Sequence, residues 1–597
     1  MSEAASRPST HRVEPALPSI DPIALQVQWS RLITIMDEVD ATLVRTSFST
    51  ILGETRDFAV IMLDGRGRSV AQSQLSSPAF TCSLPFATRS MLDAFPIEGL
   101  APGDVLLTND PWLTHGHLPD FILAQPLFTS GGVAAFVAAA AHISDIGGRL
   151  DEFDSRDVYE EGLRIPPSKL MIEGRPNDQL FRLIEANVRV PRLVLGDVHA
   201  LLGAFQTGAE RFAEFVADYG AATLQTLCHQ ILWRSECAMR DAIRAVPAGR
   251  YVGTTLADGY REPVKIHVTL DVGDGSIRAD FTGSSSESTT SSVNCVLNVT
   301  VAHTIFPLKC SLTPDVPNNE GLFRPIEVVA PEGSIFNARF PAPVKARSKS
   351  SYHIHNAIYA ALAPALPHRV QAGSGSFWSF RCMSRDADDA PVITHVLPNG
   401  GKGAVHGADG LPTMAFPGNG TITPAEIIEN SAPLVVMRRV LRPDSGGAGA
   451  SRGGLGQEIA VRVRGPATVQ MSVRPDKVRF PAPGLLGGLP GAPGKLLLDG
   501  RSLEPGPFQL EPGHELVMKL PGGGGLGDPG RRERSRIAAD VEEGYVTPNA
   551  AAALYGWTGP VTARTTTGLR RRKRMSGRSR GSHVNRRVSR AEKEGTV

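Results

Sequence analysis

The amino-acid sequence predicts an α+β fold, in which an N-terminal α/β region with buried strands is followed by β-rich middle and C-terminal domains of one large chain. Three observations support this prediction. Apolar residues recur at helical spacing near the start of the chain and across residues 176–245. Uncharged apolar runs bounded by Gly and Pro lie between them, as expected of core strands. In the second half, frequent Gly and Pro separate short segments with the period of two that strands show.

Length and composition exclude several classes of protein. With 597 residues, 41% hydrophobic and 20% charged, the chain has the composition of a soluble protein and the length for several domains. Its six cysteines form no CxxC pair, which is typical of buried thiols in a reducing compartment. No apolar run approaches 18 residues, and no signal peptide opens the chain. The sequence therefore predicts a cytoplasmic protein without a membrane segment.

The small net charge of +2 is unevenly distributed along the chain. Residues 561–597 hold 12 Lys and Arg against 2 Glu, so residues 1–560 carry about −8. A mildly acidic body is not expected to bind nucleic acid. The basic end is predicted to be a solvated, disordered tail, and the alternative is a nuclear-localisation or RNA-contacting segment.

Changes in periodicity divide the chain into six regions. Helical spacing gives way to strand spacing near residue 249, helices return near 350, and short strands run on from 455. The predicted regions are a disordered N-terminus (1–20), an N-terminal domain with a candidate metal site (21–249), a β-rich domain (250–345), a mixed α/β region (346–454), a β-rich C-terminal domain with a closing helix (455–560) and a basic disordered tail (561–597).

Local signals predict the first elements of the N-terminal domain. Asp21 is a helix N-cap residue and Pro22 suits a first turn, so a helix is predicted to begin there. The apolar run 58–63 predicts a buried strand, and the DGRG sequence after it predicts a hairpin turn. Glu54 and Asp57 lie just before this strand, and from the sequence alone they are most simply solvated turn carboxylates.

The stretch 109–148 contains several residues that could bind a metal ion or take part in catalysis. Two His-x-x-Asp units, His117 to Asp120 and His142 to Asp145, lie on either side of an apolar run. Imidazoles and carboxylates at the ends of buried strands must be paired or bound to a metal ion, and they are ligands of Zn, Mn and Fe. A Leu-Pro pair makes the first unit a turn, which allows both side chains to face one ion. Each histidine alone is more often a satisfied buried residue, but together they favour a divalent metal site in an enzyme.

Two glycine clusters, PGGGGLGDP at 521–529 and DSGGAG at 444–449, invite comparison with phosphate-binding loops. Neither is followed by the GK[ST] of a Walker A loop, and neither fits GxGxxG after a strand. They are predicted to be turns or close backbone approaches. The chain shows no ATP-binding motif of its own.

Together these segments resemble the hydantoinase B/oxoprolinase family. The similarity extends from about Asp21 to Gly556, and it rests on many segments in one order. The segments are ILGETRDF (51–58), NDPWLTHGHLPD (109–120), AHISDIGG (141–148), EGLRIPPSKL (161–170), DFTGSSSES (280–288), PNNEGLFRPIEV (317–328), PEGS (331–334), DSGGAGASRGGLG (444–456) and PGGGGLGDP (521–529).

This resemblance implies an enzyme that hydrolyses C–N bonds in cyclic amides, of the ATP-dependent 5-oxoprolinase or N-methylhydantoinase type. The chain would be the B-type catalytic subunit of a hetero-oligomer. Its hydantoinase A-type partner would bind ATP and phosphorylate a carbonyl oxygen of the substrate. Phosphorylation turns a poor electrophile into an imidate-like phosphate that water can attack. The expected substrates are small cyclic amides: 5-oxoproline, a hydantoin or N-methylhydantoin.

The family's relatives include acetone and acetophenone carboxylase subunits, and their metal site implies a ligand set for a Mn, Zn or Fe ion in this chain. The implied metal ligands are Glu54, His117, Asp120 and His142. Asp145 is then expected behind the ligands, as one of the catalytic residues. Asp110 is expected to orient a ligand or to act as a general base.

The chain departs from the family pattern beside this site. PWLTHG follows Asp110 where relatives have an aromatic residue, a glycine pair and Thr. His115 is therefore an additional imidazole, expected to take part in catalysis and to alter substrate choice. Ile143 stands where a second His often follows. Two alternatives remain open: a subunit of an ATP-dependent ketone carboxylase, and a non-catalytic scaffold for the A-type partner.

Overall fold

Seven antiparallel strands form the main sheet of the N-terminal part, in the order β2-β1-β5-β4-β3-β6-β7. The computed structural model describes residues 20–150, 153–385, 389–414 and 416–559. The predictions for residues 1–19 and for the tail 561–597 fall outside these residues. The first elements are α1 (Pro22–Thr46), β1 (Phe58–Asp64), β2 (Ser69–Gln72), α2 (Pro78–Thr81), α3 (Leu84–Ala94), β3 (Val105–Thr108), β4 (Asp120–Thr129), β5 (Gly132–His142), β6 (Ser168–Ile172), β7 (Arg175–Pro176), α4 (Asp178–Asn187), α5 (Pro191–Tyr219) and α6 (Ala221–Arg244).

Three smaller sheets make up the second part of the chain, in the orders β11-β10-β9-β8, β13-β12-β16-β19 and β14-β15-β20-β17-β18. Their elements, with the helices between them, are β8 (Gly249–Ala257), β9 (Val264–Gly273), β10 (Ser276–Asp280), α7 (Leu297–Leu312), β11 (Ile326–Val329), α8 (Ser348–Ser351), α9 (Ile354–Leu362), β12 (Ser379–Arg385), β13 (Pro391–Val396), α10 (Ala425–Ser431), β14 (Leu434–Leu441), β15 (Gln457–Val463), β16 (Val469–Arg474), β17 (Lys495–Leu498), β18 (Arg501–Ser502), β19 (Gly506–Leu510), β20 (Glu515–Lys519), α11 (Arg534–Glu542) and α12 (Pro548–Tyr555). The α+β prediction is confirmed.

The start of α1 confirms the predicted cap. The Asp21 carboxylate accepts hydrogen bonds of 3.0 Å from the main-chain N–H groups of Ile23 and Ala24, two of the groups that a helix start leaves without a partner. The apolar stripe of α1 is buried against the main sheet. Within the described residues, no helix combines the length and the apolar character that crossing a membrane requires.

Strands β4 and β5 are apolar along nearly their whole length because both faces of the sheet are covered. Leu123 and Val137 belong to the core under α1 and α5. Ile122 and Ala138 point to the opposite core, under α2 and α3. A sheet buried on both faces has no polar side, so its strands do not alternate apolar and polar residues. Residues 20–558 of the described part form one compact unit, and the division into six regions stays a prediction.

The glycine-rich segments of the second half lie side by side and hydrogen-bond to one another. Gly523 N donates to Gly454 O at 2.9 Å, and Gly524 N donates to Gly373 O at 2.7 Å. A Cβ atom at Gly453 would lie 1.9 Å from Gly523 O, which leaves no room for any side chain. The predicted close backbone approaches are therefore present, and they explain the glycine clusters without a phosphate.

Gly453→Ala is expected to destabilise the chain by about 3 kcal/mol or more, because the new methyl group must displace a neighbouring main chain. The matched control is Gly203→Ala on α5, where a Cβ meets no atom within 4 Å. That change is expected to be neutral or to stabilise by up to about 1 kcal/mol. Urea unfolding of the two variants measures the difference, and equal midpoints would contradict the close packing.

Candidate metal centre

The β4–β5 hairpin brings a carboxylate and a histidine of the stretch 109–148 together. Asp120, the first residue of β4, pairs in register with His142, the last residue of β5. Asp120 Oδ1 lies 3.0 Å from His142 Nδ1 and 2.7 Å from Nε2 of His117, which lies in the preceding turn. The three side chains are buried, and one ligand atom from each lies within 4.8 Å of the others. Three of the four predicted ligand residues are therefore assembled.

Hydrogen bonding at His117 favours a cation between this ring and Asp120. His117 Nδ1 lies 3.0 Å from the main-chain oxygen of Lys345, which only accepts, so Nδ1 carries the proton. In the neutral ring, Nε2 then presents a lone pair to Asp120 Oδ1. Burial lowers the pKa of His117 to about 4. At neutral pH, therefore, no proton lies between His117 Nε2 and Asp120 Oδ1. Metal-bound histidines donate their other N–H to a carbonyl oxygen in the same way.

The second oxygen of Asp120 is held by a guanidinium group. Arg347 Nη2 donates to Asp120 Oδ2 at 2.7 Å, and Arg347 Nε donates to His115 O at 2.6 Å. Although burial opposes ionisation, the positive charge of Arg347 lowers the pKa of Asp120 below its usual range. The carboxylate is therefore charged, with Oδ1 directed at the two histidines and Oδ2 at Arg347.

These residues line a cavity of about 40 Å³. Its ionisable lining consists of four histidines, two carboxylates, three cationic residues and one tyrosine: His115, His117, His142, His395, Asp57, Asp120, Lys345, Arg347, Arg474 and Tyr352. Such a density of buried titratable groups in a cavity is typical of a functional site.

His115 lies in the wall of this cavity, as its position beside the site suggested. Its Nδ1 is 3.1 Å from Ser83 Oγ, and its ring meets Phe80 edge to face. Burial and the nearby Arg347 charge lower the pKa of His115 well below its usual value, so the ring is neutral at pH 7. A neutral imidazole can donate or accept a hydrogen bond without carrying charge. The catalytic role of His115 stays a prediction.

Three other predicted site residues lie elsewhere. Glu54 is in a π-helical turn (Ile51–Thr55), and it is not one of the residues that converge on Asp120. Asp110 accepts from Trp112 N at 3.1 Å and lies 3.4 Å from Arg164, outside the cavity lining.

Asp145 forms its ion pair with Arg189, outside the cavity. It accepts from Arg189 Nη1 at 2.8 Å and from Gly147 N at 3.2 Å. It does not line the cavity. The structure therefore does not bring Glu54, Asp110 or Asp145 to the three converging side chains, and their proposed roles stay predictions.

Sequence reasoning missed several residues of this site, among them Asp57, Arg347 and His395. Asp57 lines the cavity, and its main-chain oxygen accepts from His142 N at 3.0 Å. Burial raises the pKa of its carboxyl group. Arg347 and His395 reach the cavity from segments more than 200 residues away. Asp57 was detectable by its place before a buried strand, whereas no local pattern marks the other two.

Six buried histidines make the fold sensitive to acid. Burial lowers the pKa of each below its usual value, to about 4 for His117 and about 3 for His303; the other four are His115, His353, His355 and His395. The unfolded chain protonates them near pH 6.5 while the folded chain does not, so stability falls as the pH drops below 6.5. Each contributes up to about 1.4 kcal/mol per pH unit.

Urea unfolding in EDTA at pH 7, 6 and 5 is expected to show this loss of stability. His303→Leu is expected to reduce the number of protons taken up on unfolding by about one, which makes the pH dependence of stability less steep. His199→Leu, at an exposed position, is the matched control and is expected to leave it unchanged. Midpoints that stay constant from pH 7 to 5 would contradict the burial of neutral rings.

The donor set fits a divalent metal ion. A nitrogen from each of two histidines and a carboxylate oxygen match the ligand types of Zn, Mn and Fe. With bonds of about 2.1 Å, neighbouring ligand atoms lie about 3 Å apart, close to the separations at Asp120 Oδ1. His142 Nε2 is also buried without a hydrogen-bond partner in the described part of the chain. The His117, Asp120 and His142 side chains can therefore hold a metal ion.

Comparison with known proteins shows which sequences and structures the chain resembles. The sequence profile of Hydantoinase B/oxoprolinase matches residues 21–529. A Pseudomonas sp. (strain NS671) protein, described as a candidate B-type subunit of a D-/L-hydantoinase, is 30% identical over 577 residues, covering 92% of this chain and 97% of its own. The crystal structure of the ATP-dependent caprolactamase from Pseudomonas jessenii superposes with a TM-score of 0.83 at 26% identity, covering 92% of this chain and 98% of its own.

A nucleotide-free acetone carboxylase structure has a TM-score of 0.81 at 19% identity, covering 90% of this chain and 79% of its own, and it shows the shared fold alone. The family profile spans most of the chain, and the hydantoinase relative is similar along nearly its whole length. The chain belongs to the hydantoinase B/oxoprolinase family.

Proposed function

We propose that this chain is the B-type catalytic subunit of an ATP-dependent cyclic-amide hydrolase. It completes the hydrolysis of a substrate that a hydantoinase A-type partner has phosphorylated. The observation that carries this proposal is the buried convergence of His117, Asp120 and His142 in the wall of a cavity. We propose 5-oxoproline, a hydantoin or N-methylhydantoin as the substrate, and Mn, Zn or Fe as the ion.

The comparisons support a hetero-oligomer. The Pseudomonas sp. relative is named as the B-type component of a hydantoinase, and a relative 29% identical over 561 residues is named as the beta component of a caprolactamase, so each is one subunit of a larger enzyme. The caprolactamase structure is described as ATP-dependent. Since this chain has no Walker A sequence, we assign ATP binding to the A-type partner. We place the assembly in the cytoplasm, because the cysteines suit a reducing compartment.

The chain's own residues can prepare the site for hydrolysis. A divalent ion, when bound, lowers the pKa of a water molecule or polarises a substrate oxygen. The Lys345 carbonyl orients His117, and Arg347 keeps one Asp120 oxygen away from the histidines. His115 and Asp57 lie in the same wall, within reach of a bound substrate. Burial of these groups excludes bulk water, which strengthens every electrostatic contact.

The test combines the purified chain with its A-type partner and ATP. We expect ring opening of 5-oxoproline or a hydantoin that requires both subunits, ATP and the metal ion. Bicarbonate-dependent ATP turnover with a ketone would instead support the carboxylase alternative. Full activity of the His117→Ala, His142→Ala double variant, in protein without bound metal, would support the scaffold alternative and refute the catalytic site.

A further inference from the structure

One buried histidine of the cavity wall is not among the proposed metal ligands. His395 lies on β13, is 3% exposed, and its ring centroid is 5.8 Å from that of His142. Within the described residues, its Nδ1 atom is buried without a hydrogen-bond partner. A buried polar atom is normally satisfied by protein, water or ligand, and this one lies on a ring that lines the cavity.

The other ring nitrogen identifies the tautomer of His395. Ser379 Oγ lies 2.6 Å from His395 Nε2, and it accepts a hydrogen bond from Arg474 Nη2 at 3.2 Å. Among the described residues, the Ser379 hydroxyl has no acceptor other than His395 Nε2, so its proton is donated there. A neutral imidazole that accepts at Nε2 carries its proton at Nδ1. Nδ1–H is therefore a fixed donor.

The charges around the cavity favour an anionic acceptor for this donor. Arg347 and Arg474 balance Asp57 and Asp120, while the Lys345 ammonium donates to two main-chain carbonyl oxygens. A divalent ion on the proposed ligands then leaves an excess of positive charge. A phosphoryl dianion matches that excess, whereas a neutral amide does not.

We propose that His395 Nδ1–H donates a hydrogen bond to a phosphoryl oxygen of the activated substrate, while Ser379 and Arg474 hold the ring in the donating tautomer. The proposal rests on the function proposed above. It makes His395 a catalytic residue and Ser379 a positioning residue. No proton is transferred by the ring. Water adds to the activated carbon, and phosphate leaves as the electrons of the C–O bond pass to its oxygen. The hydrogen bond strengthens as this negative charge collects on the phosphoryl oxygens.

Two variants separate the two ring nitrogens. The amide nitrogen of His395→Asn can take the place of Nδ1, whereas that of His395→Gln can only take the place of Nε2. Inorganic phosphate is titrated into the metal-loaded chain by calorimetry, without partner or lactam. We expect His395→Gln to bind phosphate about 10- to 100-fold more weakly than the natural chain, and His395→Asn to stay within about threefold. Ser379→Ala is expected to weaken binding by a smaller factor, because the tautomer is no longer fixed.

Elemental analysis should find the same metal content in all the proteins. Equal phosphate affinity for the natural chain and both variants, no phosphate binding by the natural chain, or loss of metal from His395→Gln would each overturn the proposal. With the A-type partner, kcat for ring opening is expected to fall about 10²- to 10³-fold in His395→Gln and to be partly rescued in His395→Asn. If the variants differ in phosphate binding but no cyclic amide is hydrolysed by the natural chain, the proposed function fails while the donor role stands.

Discussion

His117→Ala and His142→Ala are each expected to abolish stoichiometric metal binding and to lower ring-opening activity at least about a thousandfold. Each removes one of the three converging ligands, and a bound metal ion contributes several kcal/mol to stabilising charge in the transition state. Asp120→Asn is expected to act similarly, because an amide replaces the carboxylate that contacts both rings. Elemental analysis of protein grown with added Mn, Zn or Fe measures occupancy, and steady-state kinetics with the partner measure activity.

His368→Ala is the matched control for these variants. His368 is an exposed histidine whose Nδ1 lies 3.2 Å from that of His406, outside the cavity. Its removal is expected to leave metal content and kcat/KM unchanged. Unchanged metal content in His117→Ala and His142→Ala would show that the ion binds elsewhere. Unchanged activity in metal-free variants would show that the chemistry does not need it.

Arg347→Met is expected to destabilise the metal-free chain by about 3–5 kcal/mol, and the metal-loaded chain by clearly less. Without the guanidinium, the Asp120 carboxylate stays buried with no cationic partner. A buried charge left unpaired is the main reason why breaking a buried ion pair is destabilising. A bound metal ion supplies the missing positive charge. Urea unfolding of the variant and the natural chain, each in EDTA and in excess metal ion, measures both differences.

Arg189→Met provides the comparison for this effect. Arg189 pairs with the buried carboxylate of Asp145 outside the cavity, so its loss is expected to cost the same with and without metal. If Arg347→Met also costs the same in EDTA and in metal, Arg347 does not share Asp120 with an ion. That result would leave Arg347 as an ordinary structural partner.

Much of the fold was predictable because the signals are local. The Asp21 cap, the DGRG turn and the buried β4 and β5 runs are each determined by neighbouring residues, and the structure confirms them. The same applies to the core of the candidate site. His117 lies in a predicted turn three residues before Asp120, at the start of the apolar run that His142 ends, so a hairpin brings the three together.

Local spacing was misleading for Asp145 and uninformative for Glu54. The two His-x-x-Asp units look equivalent in sequence, but Asp120 begins a strand and faces the histidines, whereas Asp145 lies beyond a strand end and turns to Arg189. An i, i+3 spacing in a turn does not determine the side-chain direction, because the direction depends on the turn's dihedral angles. The resemblance suggested Glu54, which stays a prediction, and the structure places Asp57 in the cavity lining.

The sequence by itself therefore determined the α+β elements, the family and the three converging residues of the candidate metal site. Only the tertiary structure decided what surrounds them: the Arg347 pair with Asp120, the Lys345 carbonyl on His117, and the His395 ring in the cavity wall. These groups come from segments more than 200 residues away from the ligands they contact or face. Periodicity reports only which face of a helix or strand is buried, whereas the pairing of charges across a cavity depends on how separate cores pack against one another.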